Sequence, residues 1–300
     1  MMELTKEELI KLSRLAVDSA LEAGRFIASR SGEDITVEYK DGGDHIASQV
    51  VTEVDLGSNA IIEERLTPSL EEYDIALLTE ETVDDLGRLE KRAFWCVDPL
   101  DGTLSFTESV SGYSVSIALV SREGVPLIGV IYNPVTKNLY SAVRGQGAGL
   151  NGRPWSPDLD PPYQGRCLTA VFDPSMDGSC GNYALIMKRL EAIAEKMGLS
   201  GVETMHMGGA VVNACRVLEN PPACYFKFPK TADGGGSLWD FAASACIYYE
   251  LGAIATDFHG RELELNRRES TFMNHRGAMY ATSNELAGEI RRLMTGIEKG

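Results

Sequence analysis

The first thirty residues carry apolar side chains at the spacing of an amphipathic helix. The apolar positions, three or four residues apart, are Leu9, Leu12, Ala16, Ala20, Ala23 and Ile27. Thr5 and Glu8 precede all of them in the pattern of a capping box, in which each side chain accepts a hydrogen bond from the other residue's backbone amide. We therefore predict a helix that begins at this box and ends near Arg30.

A second helix is predicted from Leu56 to Leu66, with Asp55 as its N-cap and Pro68 just beyond its end. Runs rich in β-branched and aromatic residues follow, separated by turn residues, and they predict strands. The predicted strands are Asp74–Thr79, Ala93–Asp98, Tyr113–Val120, Pro126–Tyr132 and Asn138–Val143.

Turn-forming residues concentrate between 145 and 162, and we interpret this stretch as the junction between an N-terminal half, 1–150, and a C-terminal half, 151–300. In the second half, strands are predicted at Cys167–Phe172, Cys224–Phe228, Ala253–Thr256 and Ala278–Thr282, and helices at Asn182–Met197, Gly208–Leu218, Leu238–Leu251 and Asn284–Met294. Because helices and strands interleave throughout, the predicted fold class is α/β or α+β with stacked layers.

Composition and charge narrow the classes of partner. The 300 residues are 44% apolar and 24% charged, which is typical of a globular chain. The net charge of −16 repels a phosphate backbone, so we expect neither a nucleic-acid polymer nor an anionic membrane as partner. The N-terminus lacks an apolar signal core, and the six cysteines form no C-x-x-C pair. These features predict a cytoplasmic protein.

Two carboxylates follow a predicted strand in the segment Asp98-Pro-Leu-Asp-Gly-Thr103. The proline fixes one backbone angle and Gly102 permits a tight turn, so both carboxylates and the Leu100 carbonyl can point to one place. Oxygen ligands of this kind suit Mg²⁺. The amides of Gly102 and Thr103 would meet an anion there if a helix begins at this point. A plain turn is the competing interpretation.

Three other acidic sites have simple structural interpretations when each is taken alone. Glu80 and its acidic neighbours follow a predicted strand as a solvated loop would, and Asp55 is placed as an N-cap. Asp240 lies three residues after Ser237, the spacing of a capping box. Asp240 is nevertheless surrounded by apolar residues, and buried carboxylates usually pair with a cation or bind a metal.

Taken together, these segments resemble the inositol monophosphatase superfamily, which also contains the 3'(2'),5'-bisphosphate nucleotidases and the fructose-1,6-bisphosphatases. The resemblance rests on Asp98-Pro-Leu-Asp-Gly-Thr103, Trp239-Asp240-Phe-Ala-Ala243, Glu80-Glu81 and Val51-Thr52-Glu-Val-Asp55, in the order of the family pattern. It implies a five-layer αβαβα sandwich with metal ions between the two halves. It also implies a homodimer, because members of the family are commonly dimers.

The resemblance further implies a centre of two or three Mg²⁺ ions. The implied ligands are Glu80, Asp98 and the Leu100 carbonyl for a first ion, Asp98, Asp101 and Asp240 for a second, and Asp55 for a weaker third. The implied catalytic residues are Thr103, Glu80 and Asp55, with Thr103 beside Glu80 orienting the attacking water. Metal ions would activate this water and stabilise the leaving alkoxide. The expected activity is therefore a Mg²⁺-dependent, lithium-sensitive phosphomonoesterase acting on a small phosphorylated metabolite.

The substrate stays open at this point. The implied phosphate and substrate contacts are Gly102, Thr103, Gly208, Gly209, Ala210 and Lys227. Lys227 stands where inositol monophosphatases have a glutamate, and a cation there resembles the bisphosphate nucleotidases, in which it can meet a second phosphate. The segment 207–213 instead resembles the inositol-phosphatase loop, and the insert 231–236 departs from both.

An inositol-phosphate phosphatase is the first hypothesis. A bisphosphate nucleotidase that converts 3'-phosphoadenosine 5'-phosphate to AMP is an alternative. A non-catalytic regulatory binding factor on the same fold is the other.

Overall fold

The structure is a computed structural model that describes residues 4–32, 37–39, 50–176, 178, 181–206 and 208–293. Its helices are α1 (Lys6–Arg30), α2 (Glu53–Tyr73), α3 (Thr103–Thr107), α4 (Tyr183–Lys196), α5 (Ala210–Glu219), α6 (Leu238–Leu251) and α7 (Asn284–Leu293). The predicted capping box of α1 is confirmed, because the Thr5 and Glu8 side chains each bind the other's backbone amide. The bounds predicted for α6 are also confirmed.

A seven-stranded sheet, which we call the first sheet, occupies the N-terminal part of the chain. Its strands are β3 (Ile75–Thr79), β4 (Ala93–Asp101), β5 (Ser114–Ser121), β6 (Pro126–Tyr132), β7 (Leu139–Val143), β8 (Gly147–Leu150) and β9 (Arg153–Pro154), paired in chain order. β3 and β4 are parallel, and every later pair is antiparallel. Before this sheet, β1 (Val37–Tyr39) and β2 (Val50–Thr52) form a separate antiparallel pair.

The second sheet has five strands: β10 (Leu168–Phe172), β11 (Val202–His206), β12 (Ala223–Lys227), β13 (Ile254–Thr256) and β14 (Ala278–Ala281), in the spatial order β11-β10-β12-β14-β13. β11, β10 and β12 are mutually parallel, whereas β14 is antiparallel to both β12 and β13. The carboxyl ends of the three parallel strands therefore lie on one edge, which is a common place for ligand sites.

Alternation along the strands divides the molecule into layers. In β4, Trp95 packs with α1 and α2, whereas Phe94 faces the central cluster that contains α5 and α6. In β12, Tyr225 faces that same central cluster, whereas Phe226 packs with α4 and α7. The order is α1 and α2, first sheet, α5 and α6, second sheet, α4 and α7. The predicted five-layer αβαβα sandwich is confirmed.

The second helix differs from its prediction. α2 begins at Glu53 because Thr52, not Asp55, is the N-cap, and it continues through Pro68 to Tyr73. Asp55 occupies the third helical position, where its carboxylate accepts a hydrogen bond from the Thr52 amide and so completes a capping box.

The predicted junction contains structure of its own. The strands β8 and β9 lie within 145–162 and extend the first sheet to Pro154. In the opposite direction, α6 of the second half packs on the first sheet through Cys246 and its apolar neighbours. The division of the chain at 150 stays a prediction.

Two other expectations concern membrane-spanning helices and disulfide bonds. Among the described residues, no helix has both the length and the apolar character needed to cross a bilayer. Five of the six cysteines are free thiols, and the sixth, Cys180, lies outside the described residues.

Candidate metal and phosphate site

Three carboxylates from the two halves of the chain converge between the sheets. Asp98 and Asp101 lie at the end of β4 and are almost fully buried, and Asp240 lies in the first turn of α6. One oxygen atom from each of the three carboxylates lies within 4.8 Å of the others. The structure therefore brings together three of the predicted metal ligands, which are separated by up to 142 residues in the sequence (240 minus 98).

A β-bulge brings the first two carboxylates together. Asp98 pairs with Ser116 of β5 and Asp101 pairs with Ser114, so three steps along β4 match two steps along β5. In a regular strand, residues three apart point to opposite faces, and the extra residue corrects this alternation. The Leu100 amide donates a 3.0 Å hydrogen bond to the Asp98 Oδ1 atom, which fixes the turn.

Helix N-termini hold Asp101 and Asp240 in place. The Val211 amide, in the first turn of α5, donates a 3.1 Å hydrogen bond to the Asp101 Oδ2 atom. The Ser237 amide, at the N-cap of α6, donates a 2.6 Å hydrogen bond to the Asp240 Oδ2 atom. The capping-box interpretation of Asp240 is confirmed. It does not exclude metal binding, because a carboxylate offers about four lone-pair sites.

The electrostatics of the trio favour a bound cation. Burial raises the pKa of Asp98 well above its usual range, and the charges of Glu80, Asp101 and Asp240 raise it further. Burial and the Asp240 charge also raise the pKa of Asp101, although Lys227 and backbone amides oppose this shift. Burial raises the pKa of Asp240 as well. A donor set of three crowded carboxylates fits a hard divalent cation, which would offset this repulsion.

Asp55 and Thr103 form a connected pair beside the trio. The Thr103 hydroxyl lies 2.8 Å from Asp55 Oδ1 and 3.1 Å from the Leu100 carbonyl oxygen. Burial raises the pKa of Asp55, and hydrogen bonds from Thr52 and Thr103 oppose that rise. The structure thus joins Thr103, Asp55 and the Leu100 carbonyl, three groups that the family resemblance assigned to one site.

Glu80 reaches the site from the neighbouring strand. It follows β3, and its amide donates a 3.1 Å hydrogen bond to the Val97 carbonyl of β4. Glu80 is the carboxylate whose charge raises the pKa of Asp98 most. The adjacent parallel strands β3 and β4 therefore deliver Glu80 and Asp98 to the same edge of the first sheet.

Glycines allow the two halves to approach closely. The Gly209 amide donates a 2.8 Å hydrogen bond to the Gly112 carbonyl oxygen. A Cβ atom on Gly208 would lie 1.8 Å from that same oxygen, and one on Gly209 would lie 2.2 Å from the Asp101 carboxylate. Gly102 adopts a left-handed φ of +86° at the start of α3. The loop predicted to contact substrate thus also sets the position of Asp101.

We expect Gly208→Ala to destabilise the protein by about 3 kcal/mol or more, because the added methyl group meets backbone and not a movable side chain. Urea unfolding would measure this loss. Gly181→Ala is the matched control, since nothing lies within 4 Å of a Cβ atom at that position. Equal stability of the two variants would contradict the close contact.

Lys227 lies at the carboxyl end of β12, beside an aspartate that sequence reasoning missed. The Lys227 Nζ atom is 3.3 Å from Asp173 Oδ2 and 5.9 Å from the centre of the Phe241 ring. Burial lowers the pKa of Lys227, but the charges of Asp173, Asp240 and Asp101 raise it overall. Asp173 directly follows the parallel strand β10, and this position was the one signal in the sequence that could have identified it.

Comparisons with known proteins agree with this architecture. The profile of the inositol monophosphatase family matches residues 8–295. The Nus factor SuhB of Pasteurella multocida is 29% identical over 288 residues, which cover 94% of this chain and 92% of that protein. The inositol monophosphatase of Anabaena (Nostoc) sp. PCC 7120 aligns with a TM-score of 0.68 at 22% identity, covering 96% of each chain.

A further solved structure is that of an IMPase/NADP phosphatase complexed with Mg²⁺ and phosphate. It aligns with a TM-score of 0.72 at 17% identity and covers 96% of each chain. At these identities the solved structures show a shared fold. The match of the family profile covers nearly the whole chain and includes all the carboxylates described above, and from it we conclude that the protein belongs to the inositol monophosphatase family.

Proposed function

We propose that the protein is a Mg²⁺-dependent phosphomonoesterase that hydrolyses a small phosphorylated alcohol. The observation that carries this proposal is the convergence of Asp98, Asp101 and Asp240. One oxygen of each lies within 4.8 Å of the others, and Asp98 and Asp101 are buried while Asp240 is partly exposed. The solved IMPase/NADP phosphatase that holds Mg²⁺ and phosphate on the same fold supports the choice of metal.

The proposed ligands of two ions come from both halves of the chain. Glu80, Asp98 and the Leu100 carbonyl would hold the first ion, and Asp98, Asp101 and Asp240 the second. Asp55 would assist a third. When bound, the ions would supply Lewis acidity that activates water and stabilises the leaving alkoxide. Lithium sensitivity is part of the same proposal, because the family resemblance implies it.

The protein's own groups would position the reactants. The Thr103 hydroxyl lies between Asp55 and the Leu100 carbonyl, so it is held in place where it can orient a water molecule beside Glu80. The amides of Gly102 and Thr103 stand at the start of α3 and would bind the phosphate oxygens. The loop of Gly208, Gly209 and Ala210 would contact the alcohol portion of the substrate.

Phosphate release with Mg²⁺ tests the proposal directly. The substrate panel is inositol 1-phosphate, 3'-phosphoadenosine 5'-phosphate and fructose 1,6-bisphosphate. We expect turnover of at least one member, dependent on Mg²⁺ and inhibited by Li⁺. Preference for the nucleotide would favour the bisphosphate nucleotidase alternative, and no turnover of any member across pH would contradict phosphomonoesterase activity.

A non-catalytic role is the second candidate, because curated relatives such as that of Pasteurella multocida are named Nus factor SuhB. That name does not describe phosphate hydrolysis, and a regulatory binding factor on this fold would fit it. The expectation that no nucleic-acid polymer is a partner rests on a net charge of −16 for the whole chain, which does not describe a local surface. That expectation, the homodimer and the cytoplasmic location stay predictions.

A further inference from the structure

An ion pair stands at the carboxyl ends of two parallel strands, next to the proposed metal site. Asp173 and Lys227 each lie two residues beyond the register pair of Val171 in β10 and Tyr225 in β12. Their charged atoms are 3.3 Å apart, with 26% and 21% of the respective side chains exposed. The pair is therefore partly open to solvent at the edge of the site.

Asp173 is held more firmly than a surface ion pair would be. The Tyr225 hydroxyl donates a 2.9 Å hydrogen bond to Asp173 Oδ1, and the Asn213 amide Nδ2 donates one of 3.0 Å to the same atom. Asp173 Oδ2 faces Lys227. The two oxygens of Asp173 therefore face three donor groups, which suits an ionised carboxylate because it accepts at both oxygens. This carboxylate is thus a fixed negative charge beside the ammonium group.

Two further carboxylates, those of Asp101 and Asp240, act on the Lys227 ammonium group through their charges. Both are proposed metal ligands, so bound cations would neutralise them and leave Asp173 as the counter-charge of Lys227. Any anionic group that reached the ammonium would then also meet the Asp173 carboxylate, and like charges placed side by side oppose binding.

We propose that Asp173 is a specificity-determining residue that masks the charge of Lys227, so that the substrate's alcohol portion carries hydroxyl groups there and no second phosphate. The inference deepens the phosphomonoesterase proposal and rests on it. A paired ammonium and carboxylate present both donors and acceptors to a hydroxyl group, and together they have no net charge. The pair therefore selects a polyol monophosphate against a bisphosphate.

The substitution Asp173→Asn tests this role with two matched substrates, inositol 1-phosphate and inositol 1,4-bisphosphate, assayed by phosphate release with Mg²⁺. The wild type should prefer the monophosphate. The variant should shift the ratio of kcat/KM values on the order of tenfold toward the bisphosphate, because Lys227 is unmasked. Glu203→Gln, on the exposed side of β11, removes the same charge elsewhere and should leave the ratio unchanged.

The double variant Asp173→Asn with Lys227→Met should lose the gain, because no ammonium group is left to bind the second phosphate. An unchanged ratio in Asp173→Asn, with both rates lowered equally, would overturn the proposal and leave Asp173 a structural residue. If the wild type released phosphate from neither compound, nor from 3'-phosphoadenosine 5'-phosphate or fructose 1,6-bisphosphate, the proposed function would fail. Calorimetric titration of both inositol phosphates into the Mg²⁺-loaded proteins would then still measure their dissociation constants. The ratio of these constants in wild type and in Asp173→Asn would test the role of Asp173.

Discussion

Asp98→Asn should reduce phosphate release by about 10²- to 10³-fold, the scale on which losing one preorganised electrostatic group acts. Asp98 is the proposed ligand of both ions, and an amide has no negative charge to offer either of them. Phosphate release in saturating Mg²⁺ would measure the loss. Glu191→Gln on the outer helix α4 is the control, because Glu191 is exposed and lies in the layer farthest from the first sheet.

The same substitution should stabilise the metal-free protein, which distinguishes a lost ligand from a damaged fold. Glu80, Asp101 and Asp240 all repel the Asp98 carboxylate, and burial penalises its charge. Asparagine removes both costs and keeps the shape of the side chain. We expect a higher melting temperature than wild type in a chelator and little further rise with Mg²⁺. Full phosphate release, or a lower melting temperature in the chelator, would contradict the assignment.

The sequence predicted elements well where local signals and packing agree. α1 has a capping box and a continuous apolar stripe, and both survive in the structure. β11 was missed because its residues, Val202–His206, show no apolar alternation. It is an edge strand that forms by pairing with β10. The residues of the strand alone do not show that this pairing will occur. The end of α2 was missed for a related reason, since Pro68 ordinarily ends a helix.

The candidate site also has features that the local sequence predicts and features that depend on long-range pairing. Asp98 and Asp101 could be predicted because one short turn contains both, and the family resemblance added Asp240 from far along the chain. The β-bulge that aligns them could not be predicted, since it depends on the register with β5. Asp173 lies outside every recognisable motif and meets Lys227 only through the pairing of β10 with β12. Residue 208 must be a glycine because it contacts the Gly112 backbone, and no local sequence pattern shows this contact.

The contribution of Asp98, Asp101 and Asp240 to the stability of the metal-free protein should fall as the pH rises from about 4. Asp98, Asp101 and Asp240 have folded pKa values raised above those of the unfolded chain. Between the unfolded and the folded pKa of each group, the folded protein binds more protons than the unfolded chain. The free energy of unfolding therefore decreases with rising pH over that interval. The decrease ends only when the three folded carboxyl groups have ionised. Thermal unfolding in a chelator, measured as a pH series, would follow it.

Mg²⁺ should reverse this loss, and increasingly so at higher pH, because the cation binds the ionised carboxylates. At 100 times its Kd it adds about 2.7 kcal/mol, which raises the melting temperature by about 5 °C in a protein of this size. The difference between the two series is the decisive quantity, because surface carboxylates act in the opposite direction. Hydrogen bonds from Lys196 and Arg292 lower the pKa of Glu289, for example, so its contribution is lost as the pH falls. Such contributions cancel in the difference, and a Mg²⁺ effect that did not grow with pH would contradict metal binding by these three residues.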